Sequence, residues 1–194
     1  MFTINRVKLL NYSVSLIPLS LILGNLVVNL NIIIICVLGL ALYGKNIFLI
    51  DDKKYQYLIY LFFFYLIIIT FFNNFSNFEE NNLYKANFFK SIFYLRFLIL
   101  FLTINQLIEN NKLNLKLFYI SCAFFSFLVS FDIIVQVAFG KNLLGFEIKW
   151  DRPSSFFGDE NIAGGFLQKF IFFFIFLLAL KIKYKNKLFT FTFI

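Results

Sequence analysis

Three basic side chains, Arg96, Arg152 and Lys169, lie within or beside apolar stretches. Arg96 lies at the centre of the apolar stretch 88–107, and an Arg at the centre of a membrane helix costs about 2.5–3.5 kcal/mol on insertion scales. Arg152 lies in the polar segment before the apolar stretch 162–180, and Lys169 lies one to two turns inside that stretch. Guanidinium, ammonium and helix-terminal N–H groups are what proteins use to hold phosphate. This chemistry suits Arg152 and Lys169 to a diphosphate, and Arg96 to an anion such as phosphate.

The segment 149–165 positions two of these cations. Pro153 and Gly158 are turn residues, and Asp159 and Asn161 are helix N-cap types placed just before an apolar helix. Gly164 and Gly165 follow, which allows another backbone to approach the helix start. A loop carrying Arg152 is therefore predicted to lead into the N-terminus of a helix carrying Lys169. The alternative is an ordinary capped helix whose cations reach the membrane surface and bind no ligand.

Two further polar residues, Asp132 and Gln136, lie one helical turn apart in the apolar stretch 117–139 and share a face. They either line a substrate groove or form a structural polar network that fixes helix packing. Asp132 is the acid expected to neutralise Arg96, and this structural interpretation is preferred for it. For Arg96 both possibilities stay open, an anion ligand facing a cavity with Thr103 on the same face, or an ion pair.

The elements that must position these residues are membrane helices. Of 194 residues, 61% are hydrophobic and 14% charged, against about 45–50% and about 25% in soluble domains. A soluble enzyme, a secreted disulfide scaffold and a disordered segment are excluded. The chain has no His, which excludes imidazole catalysis and His-ligated metal. Cys36 and Cys122 fall in apolar stretches and are predicted to be buried hydrophobes.

Hydropathy predicts an all-α, polytopic integral membrane helix bundle, a single transmembrane domain over 1–194. The 30-residue stretch 14–43 is predicted to form two short spans joined by a turn near 24–31, with Pro18 kinking the first. Further spans are predicted at 55–72, 88–107, 117–139 and 162–180. These make about six complete transmembrane helices, and 188–194 is expected to begin a seventh.

Charge asymmetry predicts the orientation. The net charge of +8 comes from lysines between apolar stretches, where it is a topology signal rather than a sign of nucleic acid binding. With two helices in 14–43, the N-terminus and the lysines at 181, 183, 185 and 187 share the cytoplasmic side, as the positive-inside rule requires. The N-terminus is then cytoplasmic and acts as an uncleaved anchor, and the segment 140–161 faces outward.

Four segments in order resemble one known family. They are 15–24 (SLIPLSLILG), 94–101 (YLRFLILF), 131–136 (FDIIVQ) and 152–160 (RPSSFFGDE). Together with the hydropathy profile they resemble the N-terminal part of the O-antigen ligase and O-antigen polymerase membrane proteins. The resemblance covers essentially the whole chain.

That resemblance implies a multi-pass glycosyltransferase of the bacterial inner membrane, active in lipopolysaccharide and polysaccharide biosynthesis. Such an enzyme moves a glycan from undecaprenyl diphosphate to a lipid A-core or glycan acceptor at the periplasmic face, among membrane lipids. It implies that Arg96, Arg152 and, more weakly, Lys169 bind the donor diphosphate, and that no metal or other cofactor is needed.

One departure from the family limits what is expected of these residues. The family's candidate general base is a His in a large periplasmic loop, and this chain has no His. The chain is therefore expected to be the N-terminal part of a longer protein and inactive alone, with its catalytic residues unknown. Two alternatives remain, a lipid-linked polysaccharide transporter or flippase and a non-catalytic membrane remnant. A transporter would need inverted repeats or broken helices, and the sequence shows neither.

Overall fold

The computed structural model describes residues 2–49, 53–75, 90, 92–148, 152–158, 160 and 162–183. These form seven α-helices, which are α1 (Phe2–Ser15), α2 (Ile17–Leu23), α3 (Asn25–Tyr43), α4 (Lys53–Phe75), α5 (Leu95–Glu109), α6 (Leu115–Phe139) and α7 (Ala163–Lys183). Short 3₁₀ turns follow α3 at Gly44–Phe48 and precede α7 at Ser155–Phe157. No strand occurs among these residues, only isolated bridges such as Lys141 to Glu147. The all-α prediction is confirmed.

Three helical segments of the described chain are long and apolar enough to cross a membrane, namely Asn25–Phe48, Tyr55–Phe72 and Leu115–Phe139. A fourth is present if the bent pair Asn5–Ser15 and Ile17–Leu23 is one span. The predicted six complete spans are not supported. The predicted start of a seventh, 188–194, lies outside the described residues.

Two of the predicted spans, 88–107 and 162–180, do not meet this test over the part of each that the structure describes. α5 has 15 residues, which extend roughly 22 Å, less than a hydrocarbon core of about 30 Å. It ends at Glu109 because Asn110 and Asn111 follow, and Asn111 has a positive φ of 53°. In α7, the residues whose side chains are described give a shorter apolar helix, Ala163–Phe176.

The stretch 14–43 breaks at Gly24, within the predicted range. Gly24 has φ 103° and ψ 175°, a backbone region open essentially to glycine alone. The bend assigned to Pro18 lies two residues earlier, at Leu16, where α1 and α2 meet at 49°. Pro is tolerated only in the first turn of a helix, so α2 begins immediately before it. The hydroxyls of Ser15 and Ser20 also donate to backbone carbonyls within this segment, each at 2.8 Å.

The chain forms two compact units. The first contains Met1–Leu10 and Ile32–Leu113, and the second Asn11–Asn31 and Asn114–Ile194. In the first, Ile47, Leu98 and Leu102 form a buried core, and α3 approaches α5 closely at Gly39, where a Cβ would clash with the Thr103 side chain.

In the second unit α6 packs against α7 through a core of Cys122, Val129, Ala163, Phe166 and Phe170. α2 lies on the same core through partly buried side chains. This core supports the segment between α6 and α7.

Candidate functional site

A buried polar network lies at the C-terminal end of α6. Asp132 is fully buried, and its carboxylate accepts hydrogen bonds from Ser155 Oγ at 2.8 Å, Asn142 Nδ2 at 3.2 Å and the Leu143 N–H at 2.9 Å. A buried carboxylate is very costly unless it is paired or hydrogen-bonded. Three donors on its two oxygens account for its presence here.

Gln136, one turn further along α6, is also fully buried. Its Oε1 accepts from the Ser155 N–H at 2.8 Å, and its Nε2 donates to the Phe146 carbonyl at 3.2 Å. Asn142 joins both sides, since its Nδ2 also donates to the Ser155 carbonyl at 2.7 Å and its Oδ1 accepts from Phe146 N–H at 2.7 Å. We call these four residues, Asp132, Gln136, Asn142 and Ser155, the loop anchor.

Ser155 is the residue on which the loop anchor converges. Its N–H donates to Gln136, its carbonyl accepts from Asn142, and its hydroxyl donates to Asp132. Its φ of 53° is positive, a conformation that costs a non-glycine residue on the order of 1–3 kcal/mol and persists only where surrounding contacts enforce it. The anchor therefore fixes the path of the segment from Arg152 to Gly158.

Arg152 and Lys169 lie on either side of this anchored segment in sequence. Arg152 is exposed and precedes Ser155 by three residues. Lys169 lies on α7 and lines a cavity of about 310 Å³, whose other walls are largely apolar and include Phe157 and Phe166. The second unit thus carries a cation on an anchored loop and a cation beside a cavity.

The start of α7 is open. Gly164 and Gly165 have no described atom within 4 Å of where a Cβ would stand, so the close backbone approach expected there is not made by described residues. The first N–H groups of any helix lack intrahelical partners and attract anions. The predicted caps Asp159 and Asn161, and residues 149–151, lie outside the described residues.

Arg96 lies in the first unit, on α5. It is half-buried, and its Nε is buried without a hydrogen-bond partner in the described part of the chain. Its guanidinium carbon lies 5.0 Å from the centroid of the Phe97 ring, and it lines a cavity of about 220 Å³ with Lys90 and Tyr94. Thr103, expected on the same face, is fully buried and donates to the Ile99 carbonyl at 2.7 Å, so it serves packing.

The structure brings Asp132 and Gln136 together with Asn142 and Ser155, which the sequence did not indicate as members of the site. Only Asn142 had a sequence signal, since an Asn three residues before a Gly is typical of a turn in which the Asn side chain bonds the following backbone. The pairing of Arg96 with Asp132 stays a prediction.

No three His, Cys, Asp or Glu side chains among the described residues are grouped as metal ligands would be. Cys36 and Cys122 are buried free thiols.

Comparison with protein families, with curated proteins and with solved structures finds no match.

Proposed function

We propose that this chain is the membrane-embedded part of an O-antigen ligase-like glycosyltransferase of the bacterial inner membrane. It would move a glycan from undecaprenyl diphosphate to a lipid A-core or glycan acceptor at the periplasmic face, with the N-terminus in the cytoplasm. The observation that carries the proposal is the loop anchor, which holds the Arg152 segment on α6 directly before the helix that bears Lys169.

In this reaction the bond between the anomeric carbon and the diphosphate oxygen breaks, and the electron pair stays on the diphosphate. The acceptor hydroxyl oxygen forms the new bond, and its proton passes to water or to a base other than Arg152 and Lys169. Fixed cations in a site of low dielectric constant stabilise the charge that develops on the leaving group. Arg152 supplies a planar fork of donors for two phosphate oxygens, and Lys169 supplies a point charge.

The N–H groups at the start of α7 add a third element that favours phosphate. Arg96 is proposed as a further diphosphate-binding cation. Its Nε has no hydrogen-bond partner among the described residues, and this together with the neighbouring Lys90 supports an anion ligand in the 220 Å³ cavity of the first unit.

The test is a titration of the purified full chain in detergent with undecaprenyl diphosphate. Trp150, the chain's single Trp, lies two residues before Arg152 and reports binding by its fluorescence. Arg152→Gln and Lys169→Gln should each weaken binding about tenfold or more, because a hydrogen bond to a charged group contributes about 1.5–3 kcal/mol.

Lys141→Gln is the matched control. Lys141 is exposed in the same unit and pairs with Glu147 at 2.9 Å on the surface, so its loss should leave the affinity unchanged. Equal affinity of the Arg152→Gln, Lys169→Gln and Lys141→Gln proteins would contradict the proposal. Arg96→Gln is titrated separately, and an unchanged affinity would remove Arg96 from the site.

A second candidate function rests on the bend between α1 and α2. Transporters build substrate sites at broken helices, and the 49° bend at Leu16 is such a break, although the sequence showed none. A lipid-linked polysaccharide transporter would move fluorescently labelled undecaprenyl diphosphate across a vesicle bilayer without transferring a sugar. Binding without translocation would oppose this candidate. If the protein neither binds nor moves the labelled lipid, a non-catalytic membrane protein is favoured.

A further inference from the structure

The first unit contains a second, larger cavity, of about 690 Å³. Its walls come from α1, the end of α3, the 3₁₀ turn that follows, and the end of α5. Lys8 and Lys112 line it, and the amides of Asn46 and Asn110 lie beside them. Its volume lies within the range of about 300–1,000 Å³ typical of ligand pockets.

Local backbone structure places Lys112 at this cavity. Asn111 adopts a positive φ of 53°, and the Lys112 N–H donates back to the Leu107 carbonyl at 2.8 Å. The Lys112 ammonium then lies 5.8 Å from the centroid of the Tyr43 ring, which also lines the cavity. A cation over an aromatic face is favourable, so the position of this charge is set by the fold.

Glu109, at the end of α5, is hydrogen-bonded to side chains of its own helix. Glu109 accepts hydrogen bonds from Asn105 Nδ2 at 2.7 Å and from Gln106 Nε2 at 3.0 Å. Lys8 is exposed on α1, and two residues earlier Arg6 donates to the Ala41 carbonyl at 3.0 Å. Among the described residues that line the cavity, Lys8 and Lys112 are basic and none is acidic.

The position of the cavity relates it to the membrane surface. The apolar segment Asn25–Phe48 ends in the 3₁₀ turn that forms one wall, and a spanning helix leaves the hydrocarbon where lipid headgroups lie. The remaining walls include the apolar Val7 and Leu42. Basic pockets between membrane helices bind acidic headgroups, and apolar walls suit the glycerol and acyl parts of a lipid.

We propose that this cavity binds the phosphate of an anionic phospholipid headgroup, with Lys8 and Lys112 as its cationic contacts. The site is separate from the diphosphate site proposed above, since it uses neither Arg96 nor any residue of the second unit. A free phosphate ion has the same chemistry, and the experiment separates the two sources.

The test measures lipid retention by native mass spectrometry of the full chain titrated with dioleoyl phosphatidylglycerol or dioleoyl phosphatidylcholine. Phosphatidylglycerol should bind more tightly than phosphatidylcholine. The double variant Lys8→Gln/Lys112→Gln should weaken phosphatidylglycerol binding about thirtyfold, from about fivefold for each lysine. The double variant Lys8→Arg/Lys112→Arg keeps both charges and should retain binding within a few-fold.

The matched control is Lys45→Gln/Lys116→Gln, which removes two exposed lysines that do not line the cavity. An equal loss in this control would overturn the proposal, because binding would then follow net charge alone. Unchanged binding in Lys8→Gln/Lys112→Gln, or full loss in the arginine variant, would also overturn it. If millimolar inorganic phosphate displaces the lipid, the proposal that the ligand is a lipid would be overturned. Retention of the lipid in the presence of phosphate supports that proposal.

Discussion

The loop anchor predicts that two buried serine hydroxyls in the second unit contribute very differently to stability. Ser155 Oγ is fully buried and donates to Asp132 at 2.8 Å. Ser126 Oγ, on α6, is equally buried but has no hydrogen-bond partner among the described residues. Ser155→Ala and Ser126→Ala make the same chemical change at similar burial, so any difference between them measures the bond.

The destabilisation expected for each serine substitution follows from the hydrogen-bond partner of its hydroxyl. A hydrogen bond to a charged group contributes about 1.5–3 kcal/mol, so Ser155→Ala should destabilise by about that amount. Ser126→Ala removes a buried unpaired hydroxyl and should be neutral or slightly stabilising. At about 2–4 °C per kcal/mol for a chain of this size, the Ser155→Ala midpoint should fall roughly 3–12 °C.

A third variant separates the hydrogen bond from the backbone conformation. Ala at position 155 keeps the unfavourable φ of 53°, whereas Gly accepts it at no steric cost. Ser155→Gly should therefore be more stable than Ser155→Ala by about 1 kcal/mol, although both lack the hydroxyl. The assay is thermal unfolding in detergent followed by circular dichroism. Equal midpoints for Ser155→Ala and Ser126→Ala would refute the loop anchor as a source of stability.

Two other substitutions test the packing and capping of the helices. Gly39→Ala places a Cβ against the Thr103 side chain and should destabilise the protein by about 1–3 kcal/mol through overpacking. This loss would lower the unfolding midpoint. By the scaling above, a midpoint within 1 °C of wild type would show that α3 and α5 are not in close contact. Asn114→Ala removes the side-chain oxygen that accepts from the Leu117 N–H at 3.1 Å and should destabilise the protein by about 1 kcal/mol. Asn114→Ser keeps a capping oxygen and should recover most of this loss. An Asn114→Ser protein no more stable than Asn114→Ala would contradict the capping role.

Much of the helical architecture was predictable because it follows from local properties. Gly24 breaks the long apolar stretch because its backbone conformation is closed to other residues, and the bend precedes Pro18 because Pro lacks an N–H. The number of spans was not predictable from hydropathy alone. α5 ends at the asparagines after Glu109, and buried Gln106 bonds to the distant Leu49 carbonyl at 2.6 Å, a tertiary contact that no local pattern indicates.

The residues of the candidate site were likewise only partly predictable from the sequence. Helical spacing alone places Asp132 and Gln136 on one face, and both are fully buried there. Their partners Asn142 and Ser155 follow them by 10 to 23 residues. Which loop residues reach a helix depends on how the whole segment folds back, so the sequence indicated only a turn at Asn142 and gave no sign of Ser155.

Arg152 and Lys169 are proposed to hold the two phosphates of a lipid carrier together. The most direct measurement compares the affinity of the full chain for undecaprenyl diphosphate and for undecaprenyl monophosphate, in wild type and in Arg152→Gln/Lys169→Gln. We expect wild type to prefer the diphosphate by about tenfold or more, since the second phosphate adds a charge-assisted contact, and the double variant to bind both lipids equally weakly. If the double variant still prefers the diphosphate, diphosphate binding by Arg152 and Lys169 would be contradicted.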